Sequence, residues 1–518
     1  MLVGIENEEN LGIRSIAAYL SSVGIPTQVQ PFQPGSEDVV YQAICRKQPE
    51  VIGFSLIFQS MIGEFNNLIT FLRERKVTAH FTMGGHFPTL DCESTLALIP
   101  SLDSVTRHEG ELTTRDLYRY RNKPECWESV PGLAFVRDGN VIITPPRPLI
   151  ENLDDLPFPV RDTPAATMRD IGIASLIASR GCFYNCSFCS VQKFYGGAPG
   201  QKRRTRSPAN VVHEMNDLFS RQDVRIFIFK DDDFGMKNQM QRLWIQEFCC
   251  LLDQERLSES KLWRISCRAD EIDEDILLRL RETGLKILYL GIESGNEPGL
   301  ATCNKHYHVS DVLESLALLR KADLHYEYGF MLIDPGSTLT SVLENIAFLR
   351  TITRDGNNAV QFARMLPYSG TDILHNLRQE GRLKGTLISP GYNFLDPCMN
   401  VCDWFVVESI SSTFGDRGLT TLLKYLKFDS IVLSRFFADN YNTKKYAQIL
   451  RDFTMENNEL VLSTLEKGIG FIRDRRLCSP GEDDGTLEEL IRMQKCRETE
   501  ILKKMIPAVT PFFPLPAV

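Results

Sequence analysis

The sequence predicts an α/β protein with three parts: a Rossmann-like N-terminal domain, a partial (β/α)6 barrel and a mostly helical C-terminal region. Three observations support this prediction. Strand-like and helix-like segments alternate over the first 115 residues, the alternation resumes from residue 174, and helical periodicity dominates after residue 372. We expect the domains to span 1–150, 174–371 and 372–518, with a linker over 151–173.

The composition is that of a globular protein, and it limits the possible partners. Of the 518 residues 43% are hydrophobic, and the formal net charge is −9. This charge argues against a nucleic-acid partner, because "QKRRTR" at 201–206 is too short for a binding groove. The sequence suggests neither a membrane span nor a secretory signal, so we expect a cytoplasmic protein with no membrane partner. In that compartment the 14 cysteines are expected to be thiols or metal ligands.

The N-terminal domain is predicted from strand-like segments at 1–6, 50–58, 78–85 and 104–111, with helical segments between them. This order is typical of a parallel, doubly wound sheet, which binds ligands at the carboxyl ends of its strands. Small and polar residues follow three of the strands. Each glycine alone would be explained by a tight turn, and His86 by a turn position rather than metal ligation. Their shared position at one edge indicates a cofactor site.

The next segments predict a hairpin and then a barrel. "GLAFVRDGNVIITPPRP" is expected to form a β-hairpin that turns at 138–140, followed by a Pro-rich linker. From residue 174, six strand–helix units indicate a barrel or partial barrel, with its active site at the strand carboxyl ends. The residues expected there are Cys182, Cys186, Cys189, Asp231, Asp232, Asp233, Arg268, Glu293, Ser294, Asp334 and Pro367.

Three cysteines, Cys182, Cys186 and Cys189, lie together in "SRGCFYNCSFCS" after the first barrel strand. A structural zinc site would use four ligands in two separated pairs, and an odd number of thiols in a reducing compartment does not suit disulfides. A packed core is disfavoured because the neighbouring residues suit a loop. Thiolates are the ligands of iron–sulfur clusters, and a cubane with three protein ligands keeps one iron open. The triplet therefore indicates a catalytic 4Fe-4S cluster.

The stretch "CFYNCSFC" resembles the CxxxCxxC signature of radical S-adenosylmethionine (SAM) enzymes, and the resemblance covers about 174–370. It implies that the amino and carboxylate groups of SAM chelate the open iron. Electron transfer from the cluster would then cleave SAM into methionine and a 5′-deoxyadenosyl radical. Four later stretches resemble motifs of the same family at the following strand ends: "FIFKDDDF", "SCRAD", "LGIESGN" and "MLPYSGT".

The resemblance implies a set of SAM-binding residues. The planar guanidinium of Arg268 would match the oxygen pairs of the SAM carboxylate or ribose. Glu293 and Ser294 are candidates for the amino group and the ribose. Two alternatives remain open: the aspartates could cap a helix or be solvated, and Arg268 could pair with Glu293. The stretch "LIDPGSTLTS" departs from the usual fifth-strand motif. The complete predicted set is Phe188, Asp231, Asp232, Arg268, Glu293, Ser294 and Pro367.

The N-terminal part resembles the cobalamin-binding domain that precedes many radical SAM barrels, on "LGIRSIAAYLSSVG", "PEVIGFSLIFQS", "MGGHFPT" and "RHEGE". The Asp-x-His-x-x-Gly motif of other cobalamin proteins is absent, which implies base-off cobalamin without histidine ligation. A domain that has kept only a scaffold role is the alternative, and NAD is disfavoured because no GxGxxG follows the first strand. The implied cobalamin-binding residues are Leu11, Gly12, Ser55, Leu56, Gly84, Gly85, His86, Glu109, Gly110 and Glu111.

Together the resemblances imply a cobalamin-dependent (class B) radical SAM methyltransferase that methylates a carbon of a small, specialised-metabolite substrate. One SAM would supply the methyl group through cobalamin, and a second would supply the radical. The alternatives are cyclisation or rearrangement, polar methylation, and a cobalamin-binding sensor. A methylthiotransferase is disfavoured because Cys45, Cys92 and Cys126 are too scattered for a second cluster. We expect an external reductant such as flavodoxin or ferredoxin, and a C-terminal region that closes over the substrate.

Overall fold

The structure is a computed structural model that describes residues 1–6, 8–258 and 260–513; the last residues of the Pro-rich tail lie outside this part. The first domain contains one seven-stranded sheet and six helices within the described residues. Its elements are β1 Leu2–Gly4, α1 Leu11–Ser22, β2 Val29–Pro31, α2 Glu37–Lys47, β3 Val51–Ser55, α3 Ile62–Glu74, β4 His80–Gly84, α4 His86–Leu90, α5 Cys92–Leu98, β5 Ser104–Thr106, α6 Gly110–Tyr120, β6 Leu133–Arg137 and β7 Asn140–Ile143.

The first five strands of this sheet are parallel and follow the order β2-β1-β3-β4-β5, so the predicted doubly wound sheet is confirmed. The chain reverses its direction of winding between β1 and β3. That reversal leaves a crevice at their carboxyl ends, where ligands bind in such folds. The strands are apolar on both faces, as a sheet covered by helices requires, and Val3, Ile52 and Phe81 are fully buried.

The predicted hairpin forms, but it belongs to the first sheet. β6 and β7 pair antiparallel and extend the sheet beyond β5. The backbone of Asp138 and Gly139 has positive φ, as a two-residue hairpin turn of type I′ requires. The hairpin therefore covers one edge of the N-terminal domain.

The second sheet has the order β8-β9-β12-β13-β14-β15-β16 and is parallel from β9 onward. Its strands follow chain order and curl into a half-barrel, which confirms the predicted partial (β/α)6 barrel. The elements of this part are β8 Ala166–Met168, β9 Ile171–Leu176, β10 Ser179–Arg180, α7 Val191–Gly196, β11 Arg204–Thr205, α8 Pro208–Gln222, β12 Val224–Phe229, α9 Gln239–Gln254, β13 Leu262–Arg268, α10 Glu274–Glu282, β14 Leu285–Glu293, α11 Glu297–Thr302, α12 Val309–Lys321, β15 His325–Ile333, α13 Leu339–Thr353 and β16 Ala363–Arg364.

Two edges of the half-barrel differ from the sequence prediction. β8 lies within the expected linker, because Arg169 and Asp170 both adopt positive φ and turn the chain back onto β9. At the other edge, β16 is only two residues long. Just before β16 begins, the side-chain amide of Gln361 donates to the carbonyl of Tyr328 in β15. A side-chain hydrogen bond therefore takes the place of backbone pairing between the two strands at this point.

The C-terminal region is mostly helical, as predicted. It packs against both edges of the half-barrel: Arg169 forms a two-pronged ion pair with Asp429, and Arg364 lies 2.7 Å from Asp403. Over the described residues no helix has both the length and the apolar character to cross a membrane. The elements are α14 Asp372–Gln379, β17 Leu383–Gly385, β18 Pro390–Tyr392, α15 Cys398–Ile410, α16 Leu419–Phe436, α17 Thr443–Arg475 and α18 Thr486–Val509.

Candidate functional site

A cavity of about 890 Å³ lies where the N-terminal domain meets the half-barrel. Its wall on the N-terminal side is formed by the carboxyl ends of β1, β3, β4 and β5 and by the first turn of α1. Its wall on the barrel side includes Arg180, Lys230 and Asp232. The structure brings all ten residues of the predicted cofactor edge to this cavity: Leu11, Gly12, Ser55, Leu56, Gly84, Gly85, His86, Glu109, Gly110 and Glu111.

Glycine is required where β4 ends at the cavity. Gly85 has φ +114°, and a Cβ there would lie 2.2 Å from the carbonyl oxygen of Leu56. A Cβ on Gly84 would lie 3.1 Å from the carbonyl oxygen of Thr106. The ends of β3, β4 and β5 therefore lie close together, and a side chain at Gly85 would force the ends of β3 and β4 apart.

His86 is held at the rim of the cavity by two contacts with the barrel domain. Its Nδ1 lies 3.0 Å from the Ser190 hydroxyl, and its ring stacks on Phe194 with centroids 4.4 Å apart. Burial lowers the pKa of His86 to about 4, so the ring is neutral at physiological pH. The residue is thus a packed, uncharged part of the domain contact.

The carboxylates at the end of β5 form an ion-pair network with the barrel. Arg180 contacts Glu109 at 2.9 Å and Glu111 at 2.7 Å, and Arg204 contacts Glu109 at 2.9 Å. Burial alone would raise the pKa of Glu109, but the charges of Arg180 and Arg204 outweigh it and hold that pKa below its usual value. Sequence reasoning missed both arginines, because their carboxylate partners lie 71 and 95 residues away.

The three cysteines of the triplet occupy the loop between β10 and α7, and all are free thiols. Gly181 anchors the loop: a Cβ there would lie 1.9 Å from the carbonyl oxygen of Lys202, and its N–H donates to Asp232 at 2.8 Å. Arg268 donates to the Cys186 sulfur at 3.5 Å. Burial raises the pKa of the Cys189 thiol to about 11, so loading a metal there releases protons.

The three aspartates after β12 bind backbone amides around this loop. Asp231 accepts from the N–H of Ala178 at 3.1 Å, and Asp233 accepts from the N–H of Arg268 at 3.3 Å. Both side chains are buried, so the helix-cap and solvated alternatives are wrong for them. The side chain of Asp232 is exposed towards the cavity, so the solvated alternative stays open for it. Desolvation by the cavity walls raises the pKa of Asp232 to about 6, and the hydrogen bond from the Gly181 N–H acts in the opposite direction.

Arg268 and Glu293 do not pair with each other. Arg268 pairs with Asp270 at 2.9 Å and lies 3.8 Å above the ring of Tyr184. Glu293 pairs with Lys305 at 3.0 Å. Burial would lower the pKa of Lys305, but the Glu293 carboxylate outweighs it and raises that pKa.

The remaining predicted residues lie near the cysteine loop but away from the cavity. The Ser294 hydroxyl donates to Asn345 at 3.2 Å and is fully buried. Phe188 is partly buried against the barrel core, and Pro367 is buried in the loop between β16 and α14. Of the seven predicted SAM residues, only Asp232 is among the described residues that line the cavity.

The C-terminal region contacts the N-terminal domain through Gln59, a residue that the sequence did not single out. The Gln59 amide donates to the carbonyl of Leu387 at 2.6 Å and accepts from the N–H of Ser369 at 2.8 Å. Beside it the rings of Phe58 and Tyr368 lie 5.6 Å apart. Phe58 also lines the cavity, so its ring contact with Tyr368 lies beside the cavity.

Comparison with protein families decides the identity of the two domains. Residues 6–118 match the model of the B12 binding domain, and residues 176–349 match the model of the radical SAM superfamily. The chain combines a B12 binding domain with a radical SAM domain. It is therefore a radical SAM enzyme, and its cofactors are a 4Fe-4S cluster, SAM and cobalamin.

Among characterised and curated relatives, the chain is similar to methyltransferases and to a cyclase. It is 27% identical to an uncharacterised methyltransferase of Pyrococcus horikoshii, over 79% of this chain and 87% of the relative. It is 29% identical to the anaerobic magnesium-protoporphyrin IX monomethyl ester cyclase of Synechocystis, over 61% of this chain and 62% of the cyclase. The chain is 25% identical to the cytidylyl-2-hydroxyethylphosphonate methyltransferase of Streptomyces wedmorensis, over 67% of this chain and 70% of that enzyme.

Two solved radical SAM structures share the whole architecture. The cobalamin-dependent SAM radical enzyme OxsB superposes with a TM-score of 0.71 at 16% identity, covering 100% of this chain and 81% of OxsB. The methyltransferase TsrM from Kitasatospora setae superposes with a TM-score of 0.62 at 14% identity, covering 92% of this chain and 98% of TsrM. At this level of identity the superpositions establish the fold.

The residues present fit the cofactors of the radical SAM family. The cysteine loop offers three thiols as soft donors, which suit iron. Over the described residues no group of His, Cys, Asp or Glu side chains converges on a single-ion site. At the cavity, Gly84 and Gly85 bring the ends of β3, β4 and β5 close together beside the space assigned to cobalamin.

Proposed function

We propose that the protein is a cobalamin-dependent radical SAM methyltransferase that methylates a carbon of a small-molecule, specialised-metabolite substrate. One observation carries this proposal: a single cavity is lined both by the cobalamin-type sheet edge and by Asp232, whose carboxylate binds the N–H next to the cysteine loop. Two cofactor sites that open into one space can act on the same substrate atom. The methyltransferases among the relatives support the same reaction.

We assign the cysteine loop to the cluster, with Cys182, Cys186 and Cys189 as ligands. The guanidinium of Arg268 is positioned beside the Cys186 sulfur and fixed by Asp270, so it can donate to an anionic group bound next to the loop. Asp232 faces the cavity and can accept hydrogen bonds from a bound ribose or amine. The other proposed SAM residues remain predictions: Phe188, Asp231, Glu293, Ser294 and Pro367.

We assign the N-terminal wall of the cavity to cobalamin. Gly84 and Gly85 line this wall at the end of β4, and Ser55 and Leu56 line it at the end of β3. The imidazole of His86 is already packed against Ser190 and Phe194, which supports cobalamin without histidine ligation. Glu109 and Glu111 act indirectly, because their carboxylates hold Arg180 in the wall.

When bound, the cluster and SAM supply a 5′-deoxyadenosyl radical, and cobalamin supplies the methyl group. The protein's contribution is placement and the exclusion of water. Gln59 binds Leu387 just after β17, and Phe58 contacts Tyr368 beside the cavity. We propose that this part of the chain closes over a substrate. We expect an external reductant such as flavodoxin or ferredoxin to supply the electron.

Cyclisation is the second candidate reaction, because the chain is also similar to magnesium-protoporphyrin IX monomethyl ester cyclases. It would use the same radical and the same cavity. The two reactions differ in their products, since methylation adds one CH2 unit from SAM and cyclisation adds none.

The decisive experiment uses reconstituted protein under anaerobic conditions. It is incubated with methyl-labelled SAM, a strong reductant and a metabolite extract of the source organism. We expect 5′-deoxyadenosine, S-adenosylhomocysteine and a labelled product, all absent for Cys182→Ala and retained for the exposed control Cys250→Ala. An unlabelled product with deoxyadenosine supports cyclisation, and labelled product without deoxyadenosine supports polar methylation. Failure to form deoxyadenosine or product, with Cys182→Ala unchanged, overturns the enzymatic assignment.

A further inference from the structure

A second cavity, of about 640 Å³, lies at the opposite end of the half-barrel, between the amino ends of the strands and helices α16 and α17. Lys286 and His325 line it at the start of β14 and β15. Glu293 and Ile333 end the same strands on the side of the cysteine loop. A strand rises by about 3.3 Å per residue, so about 25 Å separate this cavity from the cofactor side.

Two lysines in this cavity have no acidic partner among the described residues. Lys286 forms no ion pair, and the Lys427 ammonium contacts only the Asn357 side-chain oxygen, at 3.4 Å. Arg320 differs from them, because its guanidinium lies 3.5 Å from Asp355. Asp323 and Asp355 also line the cavity, but neither forms an ion pair with the two ammonium groups within the described structure.

The surroundings of these lysines disfavour their charged forms. Burial, with a smaller contribution from Arg451, lowers the pKa of Lys427 to about 8, while Asp355 and Asp323 act in the opposite direction. Burial and two neighbouring arginines also lower the pKa of Lys286, against the opposing charge of Asp323. A negative charge placed between the two ammonium groups would relieve both effects.

Neutral hydrogen-bond donors line the same cavity. Asn358 is 6% exposed, and its side-chain NH2 makes no hydrogen bond of acceptable geometry within the described structure. The Tyr326 hydroxyl, which interacts electrostatically with the Asn358 amide, donates to the carbonyl of Ile352 at 2.7 Å and accepts from Arg320 at 2.9 Å. The imidazole of His325 and the hydroxyl of Ser434 add further donors. Such a buried, unpaired donor beside two ammonium groups indicates an oxyanion ligand.

We propose that this cavity binds a dianionic phosphate group, either inorganic phosphate or the monoester of a small metabolite. Two unpaired ammonium groups match its two negative charges, and the neutral donors match its remaining oxygens. Since the cavity is larger than one phosphate, it has room for the organic part of a monoester. The site joins β14 and β15 to α16, so a bound phosphate would link the half-barrel to the C-terminal helices.

The test measures binding to the cofactor-loaded protein by calorimetry at constant ionic strength. The probes are inorganic phosphate and glycerol phosphate, and chloride serves as the monoanion control. We expect saturable binding of at least one phosphate probe and a loss of about tenfold or more in affinity for Lys427→Gln. The double variant with Lys286→Gln should bind neither probe. Lys444→Gln, an exposed lysine on α17, should bind as the unmodified protein does.

The two phosphate probes separate the possible sources of the ligand. Tighter binding of glycerol phosphate indicates a phosphorylated metabolite, and tighter binding of inorganic phosphate indicates the free ion. The proposal is overturned if neither probe binds saturably, if chloride competes equally well, or if Lys427→Gln binds as tightly as Lys444→Gln. Binding to the unmodified protein alone decides the first of these outcomes, so the test does not depend on the folding of a variant.

Discussion

The carboxylate of Glu109 lies 2.9 Å from the guanidinium groups of both Arg180 and Arg204, and all three side chains are largely buried. Glu109 belongs to the N-terminal domain, and the arginines belong to the β10–β11 pair of the half-barrel. This shared carboxylate is thus one of the contacts that set the relative position of the two cofactor walls. This arrangement makes Glu109 a structural residue of the cavity.

Replacing this carboxylate should weaken the contact between the domains. In Glu109→Gln, Arg180 and Arg204 would keep their charges but lose a shared partner, which costs about 3 kcal/mol for a buried pair. We expect a lower thermal unfolding midpoint and faster proteolysis between the domains. The matched control is Glu459→Gln, whose exposed pair with Arg350 contributes about 1 kcal/mol at most. Equal midpoints for the two variants would contradict the role of Glu109.

A methyl group on Gly85 should damage the cobalamin wall and leave the cluster intact. In Gly85→Ala the new Cβ would meet the carbonyl of Leu56 at 2.2 Å in a backbone conformation that favours glycine, so β3 and β4 must separate. We expect the bound cobalamin, measured by its absorbance, to fall several-fold while the iron content is retained. Gly63→Ala, which meets no atom within 4 Å, is the control. Normal cobalamin loading of Gly85→Ala would argue against this wall.

Arg268 is expected to affect SAM binding more than cluster assembly. In Arg268→Gln the donor beside Cys186 loses its charge, and a charge-assisted hydrogen bond contributes about 1.5–3 kcal/mol. We expect the affinity for SAM, measured by equilibrium dialysis, to fall about tenfold or more with iron content unchanged. Arg221→Gln, at a mostly exposed arginine, should bind SAM normally. If both variants bind SAM equally well, Arg268 does not contact it.

Because of Lys427, the free energy of unfolding should increase as the pH rises from about 8 towards 10.5. Its pKa is lowered from 10.5 to about 8 in the folded chain, chiefly by burial, so between these values the unfolded chain binds more protons. The free-energy cost of burying the charged Lys427 ammonium is fully present below about pH 8, and it disappears as the pH rises towards 10.5.

The measurement compares unfolding midpoints of the unmodified protein and Lys427→Met across this range, in phosphate-free buffer. We expect the unmodified protein to gain stability relative to Lys427→Met as the pH rises. Lys444→Met should show no such trend relative to the unmodified protein. A difference that stays constant or falls with pH would show that the ammonium is not buried at a cost.

The sequence predicted the N-terminal wall of the cavity well, for a physical reason. Carboxyl ends of parallel strands meet at one edge, so residues after β1, β3, β4 and β5 had to lie together once the alternation of strands and helices was recognised. The spacing of the cysteines likewise located the loop after the first barrel strand. Both features follow from local periodicity.

The remaining features depend on contacts between distant segments. Asp231 and Asp233 were placed correctly at the end of β12, but their partners are backbone amides of other strands, which no residue pattern reveals. The turn at Arg169 and Asp170 has a left-handed backbone without the Asn or Gly that usually marks one. Arg180 was missed because ion pairs across domains have no periodicity.

The half-barrel is not closed by strand pairing within the described residues: β8 and β16 are its two separate edges. The helical C-terminal region holds both, through Arg169–Asp429 at one edge and Arg364–Asp403 at the other. The C-terminal helices therefore hold the two edges of the sheet at a defined distance from each other. A relative with longer or shorter helices here would place its two sheet edges at a different distance without altering any residue at the cysteine loop.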